Sequence, residues 1–236
     1  MKVAIMYSGG KDSTFAIDHA LEKGWDIEYL ISIKPTRTDC YLFHFATVEH
    51  TKDLAKILQI PHILEKCEVA DPEKEAQIVK NIVEKQQKTL PVNAVVLGGT
   101  GLQETQIKSI QDALRPLGIE AFASHAGEEH DLIVDKMLDK GYEIMITQVA
   151  SDGLMPWLGK TLTKENFKEL KKDSLKYKFH IGFEGGYADT LVLDGPILKN
   201  KLKVDNFEKV VEDPYSGHVK INKLKILDKE AKITKE

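Results

Sequence analysis

Lys2-Val3-Ala4-Ile5-Met6-Tyr7 runs directly into Ser8-Gly9-Gly10-Lys11-Asp12-Ser13, and then into a helix-patterned stretch from Thr14 to Lys23. The order predicts a short apolar strand, a glycine-rich turn carrying hydroxyls and a carboxylate, and a helix start. Such a turn aims backbone N–H groups and the positive end of a helix at one point, which suits a phosphate or pyrophosphate. Gly9 and Gly10 carry no side chain to hold an anion away, and both tolerate positive φ. Ser8 and Ser13 add hydroxyl donors, and Asp12 is a carboxylate of the kind that holds Mg²⁺ against phosphate oxygens. A Walker A loop is excluded, because the places for its first glycine and its Ser/Thr hold Ile5 and Asp12. The plainest alternative is a glycine turn before an ordinary helix, with Asp12 or Ser13 as N-cap in a surface turn.

Ser-Gly-Gly-Lys-Asp-Ser after a strand resembles the PP-loop of the N-type ATP pyrophosphatases, which include asparagine, GMP and NAD synthetases and several tRNA-modifying enzymes. The resemblance implies cleavage of ATP between its α and β phosphates, transfer of AMP to a substrate oxygen, and release of pyrophosphate. ATP and Mg²⁺ are the cofactors it implies.

The chain of 236 residues is 42% apolar and 30% charged, with a formal net charge of −4. That is the composition of a soluble globular protein with room for a substantial core. The negative balance gives no strong nucleic-acid signal, although lysines cluster at 160–178 and 199–209. Arg37 and Arg115 are the only arginines, so phosphate contacts fall to lysines and backbone N–H groups. Cys40 and Cys67 have no ligand-spaced partner, which favours reduced thiols in a cytosolic protein. With neither a membrane-length apolar run nor a signal-peptide pattern, a cytoplasmic location away from membranes is expected.

The first half alternates as a doubly wound parallel sheet requires. Strands are predicted over 2–7, 26–33, 62–66, 93–98 and 119–123, with helices over 13–23, 44–58, 73–88, 104–115 and 128–139. A strand over 142–149 is expected to continue the alternation, and Gly24 to cap the first helix in the αL conformation. After about residue 150 the texture changes. A loop, Ser151 to Gly159, precedes a helix near 163–177 and strands over 179–184, 190–194, 200–205 and 219–228. The fold class expected is α/β, a doubly wound Rossmann-like sheet over 1–150 with a smaller C-terminal α+β domain over 151–236. The lysine-rich end from Asp228 reads as a frayed tail.

A second glycine motif lies at Glu184-Gly185-Gly186-Tyr187-Ala188-Asp189-Thr190-Leu191-Val192-Leu193-Asp194-Gly195-Pro196. By itself it is either a tight hairpin with solvated carboxylates or a close approach of backbone to ligand. Together with the loop at 8–13 it resembles the diphthine–ammonia ligases, which finish diphthamide on translation elongation factor 2. Their signature is Glu-Gly-Gly-Glu-x-Glu-Thr running into Leu-Asp-x-Pro, and Glu184, Gly185, Gly186, Thr190, Leu193, Asp194 and Pro196 match it. Trp157-Leu158-Gly159-Lys160 and Tyr41-Leu42-Phe43-His44 are similar to two further family motifs in the same order. The departures lie on the acceptor side. Tyr187 and Asp189 stand where the family has glutamates, Ala126-Gly127 replaces Trp-Gly, and in Thr100-Gly101-Leu102-Gln103-Glu104-Thr105-Gln106 only Gln103 survives, without the family's arginines.

The resemblance implies an amide-forming ligase that adenylates a carboxylate, as in diphthine, and transfers free or partner-supplied ammonia. Ser8, Gly9, Gly10 and Ser13 would hold the phosphates, Asp12 the Mg²⁺, and Gly98 and Gly99 would lie against the nucleotide or acceptor. Lys11 or Lys160 would neutralise developing charge, and Glu184 or Asp189 would orient ammonia or take its proton. Tyr41, His44, Gln103, Gly159, Gly185, Gly186, Tyr187 and Thr190 would meet the acceptor, with Tyr187 offering a cation–π face to a trimethylammonium group. A homodimer is a further expectation. Two alternatives stay open: a paralogue with another acceptor, such as a tRNA, and a non-catalytic ATP or AMP sensor. Gly98-Gly99-Thr100-Gly101 lacks the third glycine of a dinucleotide loop, whose place Glu104 takes. His125 and His130, five residues apart, read as surface residues, and Lys199 to Lys203 as a solvated strand edge.

Overall fold

The computed structural model describes residues 1–36 and 48–229, with His130 described by its backbone alone. Five strands form a parallel sheet in the order β3-β2-β1-β4-β5: β1 Lys2–Met6, β2 Asp26–Pro35, β3 His62–Cys67, β4 Ala94–Leu97 and β5 Glu120–Ala123. The period of two in β1 sends Val3 and Ile5 to one face and Ala4 and Met6 to the other, and all four are buried. Helices α1 (Lys11–Glu22), α2 (Thr51–Leu58) and α5 (His130–Asp139) pack on the first face, while α3 (Pro72–Gln86) and α4 (Glu104–Leu114) cover the second. This is the doubly wound α/β fold expected.

α1 begins at Lys11 with Gly10 as N-cap and no side-chain capping bond, so neither Asp12 nor Ser13 is the cap. Both lie in the first helical turn, and Ser13 is buried rather than in a surface turn. Its end follows the αL expectation. Gly24 has φ +66, and Gly24 N–H and Trp25 N–H close back on the Leu21 and Ala20 carbonyls. Of the helix expected over 44–58, residues 51–58 form α2 behind a short 3₁₀ turn at Val48–His50, and 44–47 lie outside the described residues.

Two expectations fail. The strand over 142–149 exists as β6 (Glu143–Ala150) but does not join the parallel sheet. It is the centre of a second sheet, antiparallel to β7 (Thr161–Leu162), β8 (Ala188–Asp194) and β10 (Ser216–Asp228). The sheets therefore divide between β5 and β6, ahead of residue 150. Nor is there a strand over 179–184. Phe183, Gly185 and Gly186 all have positive φ, at +64, +89 and +81, which turns the chain instead of extending it.

α6 (Lys164–Tyr177) opens on a capping box in which Thr163 and Asn166 exchange side-chain-to-backbone bonds. The last strands are longer than expected and form one hairpin, β9 (Asn200–Val211) with β10. The Lys199–Lys203 cluster opens β9, which is an edge strand. Buried residues of β6, β8 and β9 share one continuous core with α1, α2 and α5. β8 meets the chain just past the carboxyl end of β1, where Val192 N–H donates to the Gly9 carbonyl.

Candidate functional site

The chain leaves β1 at Met6, reverses at Gly9 (φ +80), passes through an extended Gly10 and enters α1. The turn is tied by its serines. Ser8 N–H donates to Ser13 Oγ at 3.2 Å, the two hydroxyls lie 3.1 Å apart, and Ser13 Oγ donates to the Gly10 carbonyl at 3.2 Å. β8 holds it from the other side. Val192 N–H donates to the Gly9 carbonyl at 3.0 Å, and Lys11 N–H donates to Thr190 Oγ1 at 3.0 Å. A Cβ on Gly10 would stand 3.1 Å from the Thr190 carbonyl oxygen, and one on Gly9 3.1 Å from Leu54 Cδ1. Gly10 therefore lets the loop approach the β8 backbone closely, while Gly9 is favoured chiefly by its φ of +80.

Lys11 and Asp12 form an ion pair of 2.6 Å, with the lysine side chain only 3% exposed. The second carboxylate oxygen, Asp12 Oδ1, is buried with no hydrogen-bond partner among the described residues. An orphaned anionic oxygen at a phosphate-type turn fits a hard cation such as Mg²⁺. Among the described residues no group of three or more His, Cys, Asp or Glu side chains forms a metal cage.

The loop forms one wall of a cleft of about 620 Å³. Gly98 and the first turn of α4, including Glu104, form the second wall, and the turn from Gly182 to Thr190 forms the third. Ser8, Gly10, Lys11, Asp12 and Ser13 line it, as do Gln103, Glu184, Gly185, Gly186, Asp189 and Thr190. Two stretches far apart in sequence thus meet around one space, and Lys11 and Thr190, which bond across it, are separated by 179 positions. The cleft carries carboxylates at Asp12, Glu104, Glu184 and Asp189 against the single ammonium of Lys11 among its described lining residues.

The other sequence candidates lie elsewhere. Gly9, within the loop, is turned towards Leu54 and Leu191 and away from the lining, and Gly99 faces Glu184, its Cβ position 3.2 Å from Oε1. Tyr187 is half-buried outside the lining and accepts at its carbonyl from Ala150 N–H at 2.8 Å. Gly159 and Lys160 do not line the cleft either. A Cβ on Gly159 would clash with Phe207 at 2.8 Å, and the Lys160 ammonium stands 4.6 Å over the Trp157 ring. Tyr41 and His44 lie outside the described residues. Gly98 lines the cleft, but packing explains it more directly: a Cβ there would stand 2.4 Å from the Asp12 carbonyl carbon. Only glycine lets α1 lie this close to the end of β4.

His125 is a correction. It is 5% exposed, stacked on Phe15 at 4.7 Å between ring centroids, with Nδ1 2.8 Å from Ser124 Oγ. Burial, and then the neighbouring His19, push its pKa down to about 4. Sequence reasoning also missed Phe183 and His180. The Lys11 ammonium lies 5.9 Å from the Phe183 ring centroid. His180 Nδ1 accepts from Gly182 N–H at 3.3 Å, and burial followed by Lys11 lowers its pKa. A lone Phe and a lone His carry no periodic or motif signal, so only the turn geometry exposes them.

Residues 1–121 match the family description Diphthamide synthase N-terminal domain, and residues 128–227 match Diphthamide synthase C-terminal domain. The chain is 27% identical over 235 residues to the diphthine–ammonia ligase of Homo sapiens, covering 89% of this chain and 85% of that protein. It is 25% identical over 252 positions to that of Danio rerio, covering 97% and 98%. The relative in Schizosaccharomyces pombe, also a diphthine–ammonia ligase, is 25% identical over 240 positions, which span 95% of this chain and 39% of the relative.

Proposed function

The chain belongs to the diphthamide synthase family, and we propose that it is an ATP-dependent ligase that converts diphthine on translation elongation factor 2 into its amide. The observation that carries this reading is the convergence of the Ser8–Ser13 loop and the Glu184–Thr190 turn on one cleft. An adenylating amide ligase needs its nucleotide and its acceptor side by side, with the acceptor carboxylate able to reach the α-phosphate.

Ser8, Gly10 and Ser13 bind the phosphates through hydroxyls and backbone at the start of α1, where the helix end favours an anion. Asp12 Oδ1 would hold a Mg²⁺ ion, which would supply positive charge to offset that of the phosphates. Lys11 is kept beside Asp12 and under the Phe183 ring, so its ammonium faces charge developing at the α-phosphate without a large reorganisation. The acceptor carboxylate oxygen bonds to the α-phosphorus and pyrophosphate leaves. Ammonia nitrogen then bonds to the acyl carbon as the bond to the AMP oxygen breaks, and Glu184 or Asp189 takes the surplus proton. The excess of carboxylates around the cleft suits an acceptor bearing a fixed positive charge, as diphthine does. Elongation factor 2 and ammonia are the partners in this reading. Lys160 and Tyr187 carry no step in it, because neither lines the cleft.

The test supplies ATP, ammonium and diphthine-bearing elongation factor 2 and follows the amide by mass spectrometry, with labelled ATP to identify the nucleotide products. Amide, AMP and pyrophosphate are expected together, and Asp12→Asn removes all three. ADP and phosphate in their place would rule out adenylation. Tight ATP binding without amide would move the assignment to another acceptor or to a sensor.

A further inference from the structure

Gln103 is the residue before α4, on the parallel sheet, and Glu184 lies in the turn before β8, on the second sheet. Gln103 Nε2 donates to Glu184 Oε2 at 2.9 Å across the cleft. The carboxylate is 8% exposed, and Gly99, at φ +100, brings the loop after β4 against its other oxygen. The N-cap position ordinarily turns a polar side chain back onto its own helix. Gln103 makes no such bond, its backbone is neither helical nor extended, and its amide reaches over to the second sheet instead. Asp12, Glu104 and Asp189 line the same cleft, so an anionic Glu184 sits among like charges. A bond from a neutral N–H to a carboxylate is strong for its type and fixes the direction of the acceptor.

We infer that Gln103 is a positioning residue: its amide N–H holds the Glu184 carboxylate at the acceptor side of the cleft. What Glu184 does there rests on the ligase reading above, whereas the pairing does not. In that reading the Glu184 carboxylate serves the ammonia step, which follows formation of the acyl-adenylate beside the nucleotide loop. The ammonia step does need the carboxylate, because displacement of about 1 Å at a reacting group costs on the order of 100-fold in rate.

The experiment uses the full chain with Gln103→Leu, Glu184→Ala and the double variant, read in three ways. Gln103→Leu keeps most of the side-chain volume and removes the donor. Its amide formation is expected to fall on the order of 100-fold, while acceptor-dependent exchange of labelled pyrophosphate into ATP is retained. Its Tm is expected to fall by roughly 5 °C, and the same substitution in the Glu184→Ala background is expected to lower Tm no further. Equal Tm losses in both backgrounds, or none in either, overturn the pairing. Parallel loss of exchange and amide formation overturns the positioning role, since Gln103 would then serve the nucleotide. A wild-type protein that forms no amide discards the ligase reading instead, and the Tm cycle still decides the pairing.

Discussion

At Gly98 the structure leaves no space for even one methyl group. A Cβ at this position would lie 2.4 Å from the Asp12 carbonyl carbon and 2.5 Å from Ser13 N, both backbone atoms inside a helix, so rotamer changes cannot relieve the clash. Gly98→Ala therefore pushes α1 away from β4 and disturbs the nucleotide loop with it. A loss of about 2–3 kcal/mol is expected, read from urea unfolding, together with weaker ATP binding. Unfolding within about 0.5 kcal/mol of wild type, the usual spread of a surface substitution, would show that the two elements are not rigidly in contact. Gly24, by contrast, has open space around its Cβ position and owes its identity to its φ of +66. These are different physical demands on the same residue type, and a sequence displays them identically.

At the scale of elements, the helix after the loop lacks a cap of its own and receives an acceptor from elsewhere. Thr190 Oγ1, on β8, accepts from Lys11 N–H in the first turn of α1, and Val192 N–H binds the Gly9 carbonyl one step earlier. β8 and α1 are thus joined as a cap joins a helix. Thr190→Val keeps the shape and removes the acceptor, leaving a buried N–H unsatisfied at a cost of about 1–2 kcal/mol. Thr190→Ser retains the hydroxyl and much of the stability. Denaturation midpoints of the pair decide this: if the Val and Ser variants unfold alike, the hydroxyl contributes nothing to the junction. The expectation of a strand over 179–184 fails at the same junction, because Phe183 at φ +64 bends the chain so that Glu184 faces the cleft.

Across the whole molecule, His125 adds a pH dependence. Its folded pKa of about 4 lies below the ordinary 6.5, so between those values the unfolded chain binds a proton that the folded chain does not. Stability from this site is fully present above about pH 6.5 and is lost as pH falls towards 4. The interval corresponds to about 3 kcal/mol. His19, whose pKa burial also lowers, acts in the same direction. Glu128 and Asp12 oppose the shift at His125, while Lys136 supports it. Urea unfolding across this range should give a steep acid limb, and His125→Asn should flatten it while lowering stability at neutral pH. An unchanged limb in that variant would place the proton uptake on other groups.

Local sequence was enough for the strand, turn and helix at 2–23, because a period of two, paired glycines and a helical period are all written within one or two turns of chain. It was also enough for the family, since the glycine turns at 8–13 and 184–190 stand in recognisable order. The partners of each element were decided elsewhere. β6 has the pattern of a strand, yet nothing in residues 143–150 says that β8 and β10 will pair with it rather than β5. The cap on α1 comes from Thr190, 179 residues away from Lys11, and the burial of His125, in the turn after β5, comes from Phe15 and His19 on α1. Likewise Gln103 and Glu184 are adjacent only because the second sheet buries its face against α1, α2 and α5. Propensity acts over a few residues, while pairing between distant segments is settled by apolar area buried over the whole core. Only the folded chain carries that second kind of information.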